Sequence, residues 1–109
     1  MLEIELFLTD DGTAPFTNWF EGLSGDVADR VRVALLRMGQ GNLGDSKSVG
    51  QGVHEHRLHF GPGYRVYFGR DGRRLIVLLV GGSKRTQAKD IKNAQLLWKR
   101  YKERRRRRP

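Results

Sequence analysis

Charged and aromatic residues on two neighbouring predicted strands have the chemistry to handle a phosphodiester. Glu55 and Arg57 alternate along one strand, and Arg65 and Tyr67 alternate along the next. Because successive side chains of a strand point to opposite faces of the sheet, we expect these four together on one open face. Arginine guanidiniums bind phosphate oxygens at two points and can stabilise the charge of a five-coordinate transition state. A tyrosine can stack on an unpaired base, so the pattern favours binding of a nucleic-acid backbone.

RNA cleavage is one interpretation of this face, and a purely structural one stands beside it. Glu55 could take a proton from a ribose 2′-hydroxyl, which is an internal nucleophile, so that no metal ion would be needed. Lys84 and Arg85 follow the neighbouring strand and can lean over the same patch. Alternatively, Glu55, Arg57 and Arg65 form cross-strand ion pairs on a solvated sheet face. Strand periodicity does not separate these two interpretations.

The histidines and the glycine turn nearby carry weaker signals. His54 and His56 form a His-x-His pair and His59 follows, but no acidic or cysteine partner stands at a suitable metal-ligand spacing. We therefore interpret the histidines as structural or surface residues, and we predict no metal and no cofactor. The Gly-Pro-Gly turn at residues 61–63 has neither the spacing of a phosphate loop nor a helix after it.

The distribution of charge along the 109 residues supports a polyanionic partner. The formal net charge is +9, yet residues 1–45 carry three basic and eight acidic residues, whereas residues 46–109 carry eighteen and four. Such an uneven field favours a polyanion on one side of the molecule, although basic charge can also serve solubility alone. The side chains that we expect to bind RNA are Tyr67, Arg85, Lys47, Arg104, Arg105 and Arg106.

Composition predicts one cytoplasmic domain with a short tail. There are no cysteines, which excludes disulfides and thiolate metal sites. The N-terminus lacks the basic start and apolar run of a signal peptide, and the longest apolar run, residues 75–80, is too short to cross a bilayer. We expect a single domain over residues 1–103 and a flexible basic tail over residues 104–109, because five consecutive arginines repel one another.

Hydrophobic periodicity predicts a strand and a helical hairpin in the N-terminal third. Leu, Ile, Leu and Leu alternate with other residues over residues 2–9, which is typical of a half-buried strand. Pro15 can begin a short helix, and Ser24 can cap a second helix that ends at Gly39. We assign no chemistry to this region and interpret it as scaffold.

Several strands are predicted in the basic half. The main ones cover residues 53–60, 64–70 and 74–80, and a short irregular strand is expected near residues 47–49. Asp71-Gly72 is typical of a tight hairpin, and such short connections imply antiparallel neighbours.

A final helix completes the predicted fold. Gly81-Gly82 should release the chain from the last strand, and Thr86 should cap a helix with an apolar stripe that includes Trp98. The expected fold class is α+β: a twisted, mainly antiparallel sheet with two N-terminal helices and a C-terminal helix packed on one of its faces.

Short blocks along the basic half resemble those of a known toxin family. The blocks are residues 53–58 (VHEHRL), 61–68 (GPGYRVYF), 81–84 (GGSK), Gln87 and 90–92 (DIK). In this order they resemble the addiction module killer proteins, the phage-related, HigB-like branch of the RelE/ParE toxin superfamily. The resemblance runs from the first strand to Trp98, and the ordered set is specific where each block alone is not.

The resemblance implies a RelE-like fold and the toxin of a type II toxin–antitoxin module that causes growth arrest. Such toxins typically cleave mRNA, many of them on the ribosome, and their partner is a helix-turn-helix antitoxin through which the complex can bind operator DNA. By motif position the catalytic residues are Glu55, Arg57, Arg65 and Lys84. Several nuclease relatives have a Tyr or His near the C-terminus as proton donor; residues 86–91 contain neither, and some relatives have a lysine at the position of Glu55. The general base and the general acid therefore both stay open, with His54, His56 or Lys84 as candidate substitutes.

The leading hypothesis is a metal-independent mRNA endoribonuclease. Arg57, Arg65 and Lys84 would bind the scissile phosphate, Glu55 would act as base, and Tyr67 would orient a base or the backbone. The superfamily also contains ParE-like proteins that inhibit DNA gyrase without catalysis, and the fold does not decide between the two. A catalytically degenerate module that binds only RNA or its antitoxin is the third alternative.

Overall fold

A computed structural model describes residues 1–107 as a five-stranded sheet with three α-helices. The elements, in chain order, are β1 (Glu3–Leu6), α1 (Pro15–Glu21), α2 (Gly25–Gly39), β2 (Ser46–Ser48), β3 (Val53–Leu58), β4 (Tyr64–Asp71), β5 (Leu75–Gly82), a 3-10 turn (Lys84–Thr86) and α3 (Gln87–Arg106). The strand order is β1-β5-β4-β3-β2, with β1 parallel to β5 and the other pairs antiparallel. The predicted α+β class and the mainly antiparallel sheet are confirmed.

The two N-terminal helices begin at the residues that the sequence predicts. α1 begins at Pro15, whose missing N–H costs nothing in the first turn, and α2 follows Ser24. Both helices pack on one face of the sheet, which we call the hairpin face. The buried residues of that face are Phe16, Val31, Met38, Leu58, Val66, Phe68, Ile76 and Leu78.

α3 packs on the opposite face, so the expectation that all helices share one face is wrong. The buried residues on this second face, which we call the α3 face, are Phe7, Val53, Tyr67, Val77, Leu79, Val80, Ala94, Leu97 and Trp98. The central strand β5 is apolar on both sides and therefore needs cover on both. The apolar stripe of α3 supplies that cover on the face that the helical hairpin leaves free.

Glycines in the central strands let two tryptophans lie flat against the sheet. β5 continues to Gly82, two residues beyond the predicted strand end at residue 80, and the chain leaves the sheet after Gly82. A Cβ atom at Gly81 would lie 2.2 Å from the Trp19 ring, and one at Gly69 would lie 2.4 Å from the Trp98 ring. These glycines are strand residues that make room for an indole, which is a packing role rather than a turn signal.

The first strand exposes part of its leucine face, contrary to the expectation from alternation. Phe7 is 2% exposed, whereas Leu6 and Leu8 are 43% and 45% exposed. β1 is an edge strand that ends at Leu6, and Phe7 turns under α3, where the Arg104 guanidinium lies 5.1 Å from its ring centroid. Packing of α3 therefore decides which residue of this segment is buried.

The C-terminal arginines continue the helix beyond the predicted domain boundary at residue 103. α3 extends to Arg106, and Arg104 donates hydrogen bonds to Leu8 O at 2.8 Å and Asp10 Oδ1 at 3.1 Å. Residues 104–106 are thus part of the folded domain, because these contacts and the helix hold them; Arg108 and Pro109 of the predicted tail lie outside the described residues. Within residues 1–107, no helix is long and apolar enough to span a membrane.

Candidate active site

Strand register brings the predicted catalytic side chains together at one end of the α3 face. Arg57 pairs with Arg65 across β3 and β4, and Glu55 pairs with Tyr67. Glu55 lies at the centre of this cluster. Its carboxylate accepts hydrogen bonds from Tyr67 Oη at 3.1 Å and Gln87 Nε2 at 2.9 Å, and lies 3.5 Å from the Nε atoms of both arginines.

The expectation of an open sheet face is wrong at Glu55 and Tyr67, because the start of α3 covers them. Both residues are 0% exposed. The carboxylate of Glu55 accepts hydrogen bonds from Tyr67 and Gln87 and lies within ion-pair distance of both arginines, so it organises the cluster and does not face solvent. Burial raises the pKa of the Tyr67 hydroxyl above its ordinary value, and the Glu55 carboxylate raises it further. Tyr67 therefore stays a neutral donor to Glu55 and has no free ring face for a base.

Arg65 is held rigidly at the edge of the cluster. The residue is 7% exposed, and its Nη1 donates a hydrogen bond to Gly63 O at 2.8 Å. Among residues 1–107 its Nε has no hydrogen-bond partner, although it lies 3.5 Å from Glu55 Oε2. A Cβ atom at Gly63, where φ is +75°, would meet both Arg65 Nη1 and Lys84 Cβ at 3.3 Å. Glycine at this position lets the guanidinium and Lys84 lie close together.

The remaining predicted cations of this site are solvent-accessible. Arg57 is half-buried, and Lys84 and Arg85 are exposed in the 3-10 turn after β5. The backbone N–H of Lys84 donates to Pro62 O at 3.3 Å, which ties this turn to the β3–β4 turn. Lys47 is the register partner of Glu55 on β2 and is also exposed. The result is a rim of solvent-accessible cations around a buried carboxylate and a buried guanidinium.

An open groove of about 380 Å³ lies beside the two arginines. Its walls are Arg57, Leu58, His59, Phe60, Gly61, Gly63, Tyr64 and Arg65. The rings of Phe60 and Tyr64 lie 5.3 Å apart, centroid to centroid, and both are half-buried. Sequence reasoning missed these two aromatics and assigned base stacking to Tyr67. The signal for them was the turn at residues 61–63, which brings residues 60 and 64 to the two sides of one hairpin end.

The three histidines have different environments. His54 stacks on Phe68 of the hairpin face, with ring centroids 5.3 Å apart, and burial together with the Arg70 charge lowers its pKa. His56 Nδ1 lies 2.9 Å from Leu43 O and 3.1 Å from Ser46 Oγ, and burial lowers its pKa as well. His59 is exposed, and its Nε2 lies 2.6 Å from Asp45 Oδ2.

The structure does not bring the C-terminal arginines to this groove. Arg105 forms an ion pair with Asp71 at 3.2 Å, at the opposite end of β4 from Arg65. Arg105 and Arg106 line a separate groove of about 420 Å³ with Arg70, Lys99 and Lys102. The basic half of the sequence therefore forms two cationic surfaces at opposite ends of the sheet rather than one.

The fold and the site define a small α+β protein with a groove lined by two arginines that lie against one buried glutamate. No family model matches the chain. An uncharacterized protein of Haemophilus influenzae is 43% identical over 86 residues, which are 78% of this chain and 87% of the Haemophilus protein. The chain therefore belongs to the same family as that Haemophilus protein.

Proposed function

We propose that this protein is the toxin of a type II toxin–antitoxin module, of the HigB-like branch of the RelE/ParE superfamily, and that it cleaves mRNA on the ribosome. The observation that carries the proposal is the pair of guanidiniums, Arg57 and Arg65, held by one buried carboxylate beside an open groove. A cluster with that charge suits a phosphodiester. The sheet and its helices then form a RelE-like domain.

The positions of the cations support transition-state stabilisation. Arg65 is already fixed by Gly63 O and Glu55, so little side-chain entropy is lost when it binds a phosphate oxygen. Arg57 is half-exposed, and Lys84 lies beside Gly63, so both can close on the same phosphate. Donors placed in advance where negative charge develops are the largest single source of rate acceleration in many enzymes. The reaction that we propose is metal-independent attack by the 2′-hydroxyl.

The burial of Glu55 and Tyr67 changes the roles that we propose for these two residues. Glu55 positions the two arginines through its carboxylate instead of acting as base, because the carboxylate is buried and already accepts hydrogen bonds from Tyr67 and Gln87. Stacking of a base belongs to Phe60 and Tyr64, which line the groove, instead of to Tyr67. Lys47 and Arg85 extend the cationic rim along the RNA.

Partners follow from the same proposal. The second cationic groove, with Arg105 and Arg106, would hold ribosomal or messenger RNA at a distance from the cleavage site. A cognate helix-turn-helix antitoxin would neutralise the toxin and carry the complex to operator DNA. No cofactor takes part in the proposed chemistry.

Substitution of Arg57 by Gln tests the proposal with little risk to folding, because Arg57 is half-exposed. After brief induction in growing cells, primer extension should show discrete new 5′ ends in mRNA for the unsubstituted chain. We expect Arg57→Gln to reduce this cleavage by about 10²-fold or more, as for loss of one transition-state donor. Arg65→Gln should behave in the same way, and thermal unfolding of both purified variants would show whether the fold is retained.

A matched control lies on α2. Arg32→Gln removes an exposed guanidinium that lines neither of the two cationic grooves, and should leave cleavage nearly unchanged. Full cleavage by folded Arg57→Gln and Arg65→Gln proteins would contradict the site. Intact mRNA together with a DNA-damage response, on induction of the unsubstituted chain, would contradict the nuclease and favour the gyrase inhibitor.

A further inference from the structure

His59, which lines the groove that contains the two arginines, forms a pair with Asp45. His59 is the first residue after β3, and it lines the groove next to Arg57 and Arg65. Its Nε2 lies 2.6 Å from Asp45 Oδ2, and the side chains of the two residues are 71% and 49% exposed. Both groups are therefore accessible to a bound RNA strand.

The backbone around Asp45 keeps this pair in place. Asp45 directly precedes β2, and its carbonyl oxygen accepts a hydrogen bond from the Arg57 N–H at 2.9 Å, so it is anchored to β3 beside His59. A carboxylate on one ring nitrogen orients an imidazole and stabilises its protonated form. Because Asp45 contacts Nε2, the other ring nitrogen, Nδ1, can accept a proton.

The other acid–base candidates near the groove are engaged elsewhere. Glu55 is 0% exposed and its carboxylate already accepts hydrogen bonds, and Tyr67 is 0% exposed as well. His56 Nδ1 is within hydrogen-bond distance of Leu43 O and Ser46 Oγ. His59 is the histidine among the residues that line the groove, and histidine is the side chain best suited to exchange protons near neutral pH.

We infer that His59 is the general base of the proposed RNA cleavage and that Asp45 is its positioning residue. This inference rests on the proposed function. His59 Nδ1 takes the proton of the ribose 2′-hydroxyl, the 2′-oxygen forms a bond to phosphorus, and the bond from phosphorus to the 5′-oxygen breaks. The leaving 5′-oxygen takes a proton from solvent, and Arg57 and Arg65 bind the non-bridging oxygens. The products are a 2′,3′-cyclic phosphate and a 5′-hydroxyl.

Several charged groups surround His59. They are Asp45 before β2, His56 and Arg57 on β3, Arg65 on β4, and Asp29, Arg30 and Arg37 on α2. Asp29 is itself paired with Arg32 at 2.6 Å, and the Arg30 guanidinium lies 4.7 Å from the Phe60 ring centroid. His59→Gln leaves all of these groups in place.

His59→Gln tests the inference because glutamine keeps the size and can still donate to Asp45. With purified ribosomes programmed with mRNA, we expect kcat to fall by about 10²–10⁴-fold, as for loss of a general base, while KM changes little. We expect kcat of the unsubstituted chain to fall at acidic pH, as for a reaction that needs an unprotonated base, and this fall should disappear in His59→Gln. Asp45→Asn should lower kcat less and shift that acidic limb. His54→Gln, on the hairpin face, is the control and should leave kcat unchanged.

The outcomes separate this inference from the proposed function. If the unsubstituted chain cleaves and folded His59→Gln cleaves at the same rate, the assignment of His59 is wrong while the nuclease stands. A loss confined to KM, or products that end in a 3′-hydroxyl and a 5′-phosphate, would also overturn the assignment. If Arg57→Gln and His59→Gln both lose kcat and the products end in a cyclic phosphate, the assignment is supported. Absence of cleavage by the unsubstituted chain overturns both proposals.

Discussion

Both faces of the sheet are covered by helices, but the side chains buried beneath those helices differ in chemistry. The hairpin face is filled almost entirely by aliphatic and aromatic side chains beneath α1 and α2. The α3 face has a similar apolar part under Trp98, but at the ends of β3 and β4 the same layer holds Glu55, Arg65 and Tyr67. These residues alternate with Leu58, Val66 and Phe68 of the hairpin face on the same strands.

The difference between the faces indicates where stability and where function reside. Buried ion pairs rarely stabilise a fold more than apolar packing would, because each charge loses its hydration. What the Glu55 network does is hold Arg65 in one position beside an open groove. We therefore expect substitutions on the hairpin face to cost stability alone, and substitutions in the network to affect the site as well.

Phe68→Ala should give the largest loss of stability. Phe68 is 0% exposed on the hairpin face, and its removal leaves a cavity among apolar neighbours. We expect the free energy of unfolding to fall by about 3–5 kcal/mol, measured by urea denaturation. Val33→Ala, at a position 45% exposed on α2, is the control and should change it by no more than about 0.5 kcal/mol. A small effect of Phe68→Ala would mean that the hairpin face is not a packed core.

Glu55→Gln should cost less stability than Phe68→Ala. Glutamine keeps the size of the side chain, but its NH2 group must face either Arg57 or the pair Tyr67 and Gln87. All of these groups are donors, so a hydrogen bond or an ion pair is lost. We expect a loss of about 1.5–3 kcal/mol in urea denaturation, which is the range for hydrogen bonds to a charged group. Glu3→Gln, an exposed carboxylate on β1, is the matched control. If the two substitutions had equal effects, the buried network would not be holding the arginines.

Much of the fold follows from local signals in the sequence. Proline at the start of α1, serine before α2 and the Asp-Gly turn all stand where the elements begin or end. The side of the sheet that α3 covers could not be predicted, because the apolar stripe of a helix does not say which face it meets. The strand role of Gly81 was hidden for a similar reason, since it depends on a tryptophan 62 positions earlier that packs on the glycine.

The sequence predicted which site residues share a face of the sheet, but not their burial or their contacts. Period-two alternation was enough to place Glu55, Arg57, Arg65 and Tyr67 on one face, as the register confirms. It could not show that Glu55 and Tyr67 are buried, because that depends on Gln87 and the start of α3. Nor could it bring Asp45 to His59, fourteen residues away, since that contact depends on the pairing of β2 with β3.

The smallest expected effect concerns pH and the histidines of β3 that point to the hairpin face. Burial lowers the pKa of His56 and of His54 below the ordinary value of 6.5. In the unfolded chain both regain that ordinary value, so below about pH 6.5 the unfolded chain binds more protons than the folded one. The two neutral histidines should therefore make their full contribution to the free energy of unfolding above pH 6.5. That contribution should be lost as the pH drops through their pKa values in the folded chain.

Removal of these histidines tests whether the hairpin face carries this pH dependence. His56→Gln, measured by urea denaturation from pH 7.5 to 5.5, should flatten the decline, since glutamine does not titrate and its amide can still donate to Leu43 O in place of Nδ1. The double variant with His54→Gln should flatten it further. An unchanged decline in the double variant would place the pH-dependent stability elsewhere, and the hairpin face would then contribute by apolar packing alone.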